Sequence, residues 1–115
     1  MAHDIHAQLR FLSISAQKVR LVVDVVRGKD AVQAMEILRF MPQGAAQPVL
    51  KLLASAVANA EENFGVSRDD LYVAKIFADE APTRKWRRFG ARGRFKPLLR
   101  RSSHVTVILR EREAA

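Results

Sequence analysis

Between Pro82 and Arg101 the chain reads PTRKWRRFGARGRFKPLLRR, a run with nine basic residues and no carboxylate. Ordering a residue costs roughly 1–2 kcal/mol of backbone entropy, and repulsion among cations adds to that, so such a run cannot bury a core of its own and must take its order from a partner. The rest of the chain holds eleven basic residues against twelve acidic ones, so the formal net charge of +8 belongs to this one stretch. Trp86, Phe89 and Phe95 are interleaved with its arginines. Aromatic faces stack on unpaired bases while guanidinium groups neutralise phosphates, and the pattern therefore points to RNA. A solvated basic tail is the ordinary form of a charge run. Here, strand-like segments on both sides make the run a loop held at its two ends, and Gly90, Gly93 and Pro97 oppose a continuous membrane-surface helix.

At 115 residues, 49% of them hydrophobic, the chain supports one domain with one modest core. The absence of cysteine excludes disulfides and thiolate zinc sites. The start, MAHDIHAQLR, has neither a signal core nor transit-peptide character, so the expected location is the cytoplasm. A pI near 10.8 in such a domain fits a nucleic-acid partner.

In chain order, Ile5 to Ile14 alternates loosely, with Ile5, Ala7, Leu9 and Phe11 on one side, and reads as a first strand. Ser15 stands at an N-cap position. Val19, Val22, Val23 and Val26 then recur at helical spacing, with Gln17, Arg20, Asp24 and Arg27 opposite, which predicts an amphipathic helix over Ala16 to Arg27. Arg20 and Asp24, four apart, are placed to pair. Gly28 supplies the stop, and Arg27 and Lys29 suit the negative end of the dipole. Asp30 with Gln33 resembles a capping box for a second helix, whose apolar face is Ala31, Ala34, Met35 and Leu38 and which ends at Met41-Pro42. A third helix begins near residues 44–47, with Pro48 in its first turn, and runs to about Asn63. Its buried face is Val49, Leu52, Leu53, Ala56, Val57 and Ala60, extending to Phe64. Leu71 to Asp79 and Ser103 to Arg110 read as strands that bracket the basic stretch.

Sequential strands usually pair, so these two form an antiparallel hairpin whose loop is drawn out into an arm of roughly 30 Å, reversing at Gly90 to Gly93. The predicted fold is α+β, with three helices packed on a small three-stranded antiparallel sheet with a long protruding β-hairpin. The chain is one domain, 1–115, divided into a globular body (1–81 and 102–115) and an extended basic arm (82–101).

The residues offer little to catalysis. His3 and His6 lack a third metal ligand, and a backbone or phosphate contact suits His104. The pairs Glu61-Glu62, Asp69-Asp70 and Asp79-Glu80 diverge as adjacent residues do on helices and strands. There is no glycine-rich phosphate loop and no nucleophile elbow. No enzyme and no cofactor are expected.

Five blocks in order then resemble the bacterial large-subunit ribosomal protein L-twenty-two family: SAQKVRLVVDVVRGK, SAVANAEENFG, LYVAKIFADEAP, RKWRRFGARGR and RRSSHVTVIL. The resemblance implies a cytoplasmic protein on the surface of the large ribosomal subunit, bound to its ribosomal RNA beside neighbouring ribosomal proteins. It further implies that the hairpin lines the polypeptide exit tunnel, with nascent polypeptide near its tip and neither membrane nor homo-oligomer involved. Carried over by position, Ser15, Gln17, Lys18 and Arg20 match the helix segment that meets RNA, with Arg10 ahead of it and His104 after the arm. Arg84, Lys85, Arg87, Arg88, Arg92, Arg94, Lys96, Arg100 and Arg101 fall in the tunnel hairpin, with Arg92 and Gly93 at its tip, and Trp86 is a stacking candidate within it. The chain departs from the family pattern at Ala81, where a glycine is usual, at Phe89, often a proline, and at Trp86, Phe95 and Pro97. The alternative function is a free-standing RNA chaperone or regulator.

The missing carboxylates make salt the direct test of the arm. If about six to eight of its cations meet phosphates, log affinity for an RNA fragment will fall against log salt with a slope of about −4 to −7. A titration giving a slope shallower than about −2 would refute that engagement.

Overall fold

The computed structural model describes residues 4–89 and 95–112, the side chains of 84–89 and 95–100 excepted. The elements run β1 (Ile5–Leu12), α1 (Ala16–Val26), α2 (Ala31–Phe40), α3 (Ala46–Phe64), a 3-10 turn (Arg68–Asp70), β2 (Leu71–Glu80), β3 (Arg84–Phe89), β4 (Phe95–Arg100) and β5 (Ser103–Glu111). The α+β expectation holds. β1, β5 and β2 form an antiparallel sheet in that order, and β3 pairs with β4 in a separate two-stranded ribbon.

α1 is a helix because of where it sits. Valine costs up to about 0.7 kcal/mol in a helix relative to alanine, whereas burying its side chain returns about 1.5–3 kcal/mol, so packing wins. Val19, Val22, Val23 and Val26 are all buried, as the periodicity predicts. α3 starts at Ala46, which puts Pro48 in the first turn, where its missing N–H leaves no bond unmade. Val49, Leu52, Leu53, Ala56, Val57 and Ala60 are buried, while Phe64 is 44% exposed. Gly65 ends the helix at φ 65°, the left-handed conformation that glycine adopts without a steric cost.

β5 is the central strand, and Val105, Val107 and Leu109 point into the core as its alternation predicts. β2 carries a bulge between Val73 and Lys75. Its buried residues are therefore Leu71 and Val73 before the bulge but Ile76 and Ala78 after it, a change of parity that keeps one face on the helices. β1 also slips register, between Leu9 and Leu12. As a result the strand ends at Leu12 rather than Ile14, and Phe11, expected on the inward side, is turned out to 58% exposure.

Two caps differ from expectation. Ser15 and Asp30 hold N-cap backbone geometry, but neither side chain makes a cap bond. The Asp30 carboxylate is instead taken by the Arg112 guanidinium, whose Nε and Nη2 both lie 2.6 Å from Oδ1, so the capping box with Gln33 does not form.

The β2–β5 ladder ends at Glu80 opposite Ser103, and the β3–β4 ladder begins at Arg84 opposite Arg100. Three residues on one side and two on the other separate the ladders, bridged by the Ala81 N–H donating to the Ser102 carbonyl at 3.0 Å. Ala81 is buried and free of positive φ, so alanine fits where the family's glycine is usual. The molecule measures 68 × 25 × 19 Å with a radius of gyration of 17.4 Å, against about 13 Å for a compact chain of this length. Body and arm are thus joined by backbone but belong to different sheets. Replacing Arg84 to Arg100 by a short Asn-Gly turn is expected to leave a folded body at least as stable as the full chain, because a shorter loop closes more cheaply and like-charge repulsion is removed. Chemical denaturation of the free variant checks this, and an unfolded variant would make the arm part of the core.

Candidate nucleic-acid interface

The arm's register is informative without its side chains. Arg84 stands opposite Arg100 and Arg88 opposite Lys96, while Lys85, Trp86, Arg87 and Phe89 face Leu99, Leu98, Pro97 and Phe95. Like charges directly opposite destabilise a two-stranded ribbon, and a pair of strands is marginal in water even without them. An anionic partner removes that penalty. Arg92, Gly93 and Arg94 lie outside the described residues.

The antiparallel topology gathers the other candidates at the end of the sheet from which the arm springs. Arg10 is exposed near the end of β1, Ser15, Gln17 and Lys18 open α1 just beyond it, His104 lies at the start of β5, and Arg101 is exposed at the arm's root. Arg10 donates through Nε to Gln8 Oε1 at 3.3 Å.

Arg20 has a different task from the one its spacing suggests. It does not pair with Asp24, which is held by Arg27 at 2.7 Å. Its Nε donates to the Ala78 carbonyl at 3.1 Å, and Arg27 donates through Nε and Nη2 to the Ile76 carbonyl at 3.3 and 2.8 Å. Further along the same edge of β2, the Gly28 N–H donates to Val73 O at 3.0 Å and the Val73 N–H to Lys29 O at 2.9 Å. Gly28 can turn back onto the strand because it sits at φ 80°. α1 and the turn after it therefore seal the outer edge of β2, a row of polar groups that would otherwise invite foreign strands.

His104 is fixed in orientation. Its Nδ1 accepts the Phe11 N–H at 3.0 Å, and the two rings meet edge to face with centroids 4.7 Å apart. An accepting Nδ1 carries no proton, so the ring's N–H is at Nε2. Phe11 holds φ 55°, a left-handed conformation that costs a non-glycine residue about 1–3 kcal/mol. At the far end of the sheet the Arg110 guanidinium, chiefly through its hydrogen bond of 2.6 Å, holds the Asp4 carboxyl below the usual carboxylate range.

Nothing catalytic is assembled among the described residues. A cleft of about 540 Å³ between β1 and α3 is lined by His6, Gln8, Ser55, Asn59 and Glu62 among others, without a nucleophile and base in contact. No group of three His, Asp or Glu among the described residues could hold a metal ion.

The chain matches the family described as ribosomal protein L22p/L17e over residues 7–110. It belongs to that family. It is 46% identical over 107 residues to the large ribosomal subunit protein uL22 of Pediococcus pentosaceus, covering 93% of this chain and 91% of that one. Against the protein of the same name from Thermoanaerobacter sp. (strain X514) it is 49% identical over 104 residues, 90% of this chain and 94% of that one. The corresponding figures for the Cutibacterium acnes protein are 45% over 109 residues, 95% of this chain and 71% of that one. The protein is a ribosomal protein and not an enzyme.

Sequence reasoning missed the structural work of Arg20 and Arg27, which no spacing reveals because their acceptors are main-chain carbonyls 58 and 49 residues away. It also missed Phe77, 40% exposed on the open face of β2, whose parity depends on the bulge. Alanine substitution should separate the two cations of α1. Arg20→Ala is expected to lower stability by about 1 kcal/mol through the lost bond to Ala78, and Lys18→Ala to stay within about 0.5 kcal/mol. Denaturant midpoints measure both, and equal values would refute the structural role of Arg20.

Proposed function

We propose that the protein is a structural component of the large ribosomal subunit that binds large-subunit ribosomal RNA through both its body and its arm. In this reading the basic hairpin lines the polypeptide exit tunnel, and nascent polypeptide passes its tip at Arg92 and Gly93. The observation that carries the reading is the opposition of Arg84 to Arg100 and Arg88 to Lys96 in a ribbon without a carboxylate, which needs polyanion on its flanks to be stable. On the body, Arg10, Ser15, Gln17, Lys18, Arg101 and His104 converge on the root of the arm, and the uncapped first turn of α1 leaves backbone N–H groups available to phosphate. Arg20 contributes through its terminal nitrogens while its Nε stays on the sheet. Neighbouring ribosomal proteins complete the surroundings, and the cytoplasm is the compartment.

A free-standing RNA chaperone would share the charge pattern but not the location. Nearly all of the cellular protein is expected to travel with large subunits through a sucrose gradient at moderate salt. A mostly free pool would sink the ribosomal reading in favour of the chaperone.

A further inference from the structure

The helices cover one face of the three-stranded sheet, and the opposite face carries an unusual set of side chains at its arm-proximal end. In register across the sheet, His104 of β5 faces Asp79 of β2, and in the next row Thr106 lies between Gln8 of β1 and Phe77 of β2. Phe77 is 40% exposed and Phe11 58% exposed, although a phenyl ring gains nothing from water. Phe11 is presented outward by a left-handed backbone and a slipped register, and its N–H is spent on orienting His104. Exposed rings on a sheet face, flanked by cations, are the arrangement by which proteins stack unpaired bases. Arg10 and Lys75, both exposed, supply the cations on either side.

Resting on the ribosomal-RNA reading above, we infer that this open face is a docking site for two successive unpaired nucleotides of the RNA, one stacked on Phe77 and the other on Phe11. His104, on the strand between them, donates through Nε2–H, Arg10 and Lys75 neutralise the flanking phosphates at the two edges, and the Asp79 carboxylate accepts from an exocyclic amino group of the base on Phe77. Asp79 thereby makes the site selective for a base with such a group, cytosine over uracil among the pyrimidines. The face is distinct from the arm, and it reads an unstacked base where the arm reads charge.

The test follows backbone amides of the isotope-labelled full-length chain by NMR during titration with short oligocytidylate or oligouridylate, with an RNA duplex as comparator. Amides of Phe77, Thr106 and His104 should shift with oligocytidylate, more weakly with oligouridylate, and not with the duplex. Phe77→Leu keeps apolar bulk but should weaken the sheet titration about fivefold or more, since a base stack is worth at least that. It should leave the salt slope unchanged, because the slope counts phosphate contacts only, whereas Lys75→Ala should flatten it by about 0.7. Phe11→Gly should weaken the sheet titration while the denaturation midpoint holds or rises, as glycine accepts the left-handed backbone. Asp79→Ala should abolish the preference for cytidine. Shifts confined to β3 and β4, or a sheet titration unmoved by Phe77→Leu, would overturn the stacking site and leave the ribosomal reading intact. A wild-type chain that responds to no RNA and also stays out of large subunits would overturn both.

Discussion

The pairing of β2 with β5 is the contact on which the rest of this molecule depends. It makes β5 the centre of the sheet, supplies the face against which three helices bury their apolar stripes, and brings together the two ends of the basic arm. Because the ladder runs to Glu80 and Ser103, the arm leaves the body from a registered pair of strands. A hairpin that cannot stabilise itself in water is thereby aimed by one that can. The bulge in β2 serves the same pairing. Without a shift of parity between Val73 and Ile76 the strand would turn half its apolar residues to water.

Charge is divided between two tasks. In the body, arginines finish the fold: Arg20 and Arg27 close the outer edge of β2, Arg112 fastens the end of the last strand to Asp30 and lies 4.8 Å over the Tyr72 ring, and Arg68 and Arg110 hold Glu61 and Asp4. Exposed pairs of this kind contribute little each. The bonds from Arg20 and Arg27 matter more, since each satisfies a strand carbonyl that a foreign strand could otherwise use. In the arm, Arg84 faces Arg100 and Arg88 faces Lys96, and residues 82–101 hold no acid. Five body arginines, Arg20, Arg27, Arg68, Arg110 and Arg112, are thus answered within the chain, whereas the arm carries no acid of its own. That division, more than the net charge, sets the arm apart from the body.

The end of the sheet near the arm joins these tasks. The left-handed backbone of Phe11 and the fixed ring of His104 both occur where the body meets the arm. Whatever holds the body at the arm's root also fixes the direction in which the arm extends. Such coupling matters for a projection that contributes nothing to its own aim.

Periodicity alone determined the three helices and the inward residues of β5, because each depends on local repeats that the buried phase must match. The valine stripe of α1, the alanine-rich face of α3 and the acid-free basic stretch could have been placed in few other ways. What only the tertiary structure decided were the relations between distant segments. Asp30 looked like a cap and became the partner of Arg112, Arg20 looked like the partner of Asp24 and became a seal on Ala78, and Phe11 looked like core and became surface. In each case the competing partner was remote in sequence, or a register slip of one residue reversed the face. A local pattern records which residues share a side, but it carries no record of a bulge or of a main-chain carbonyl arriving from another strand.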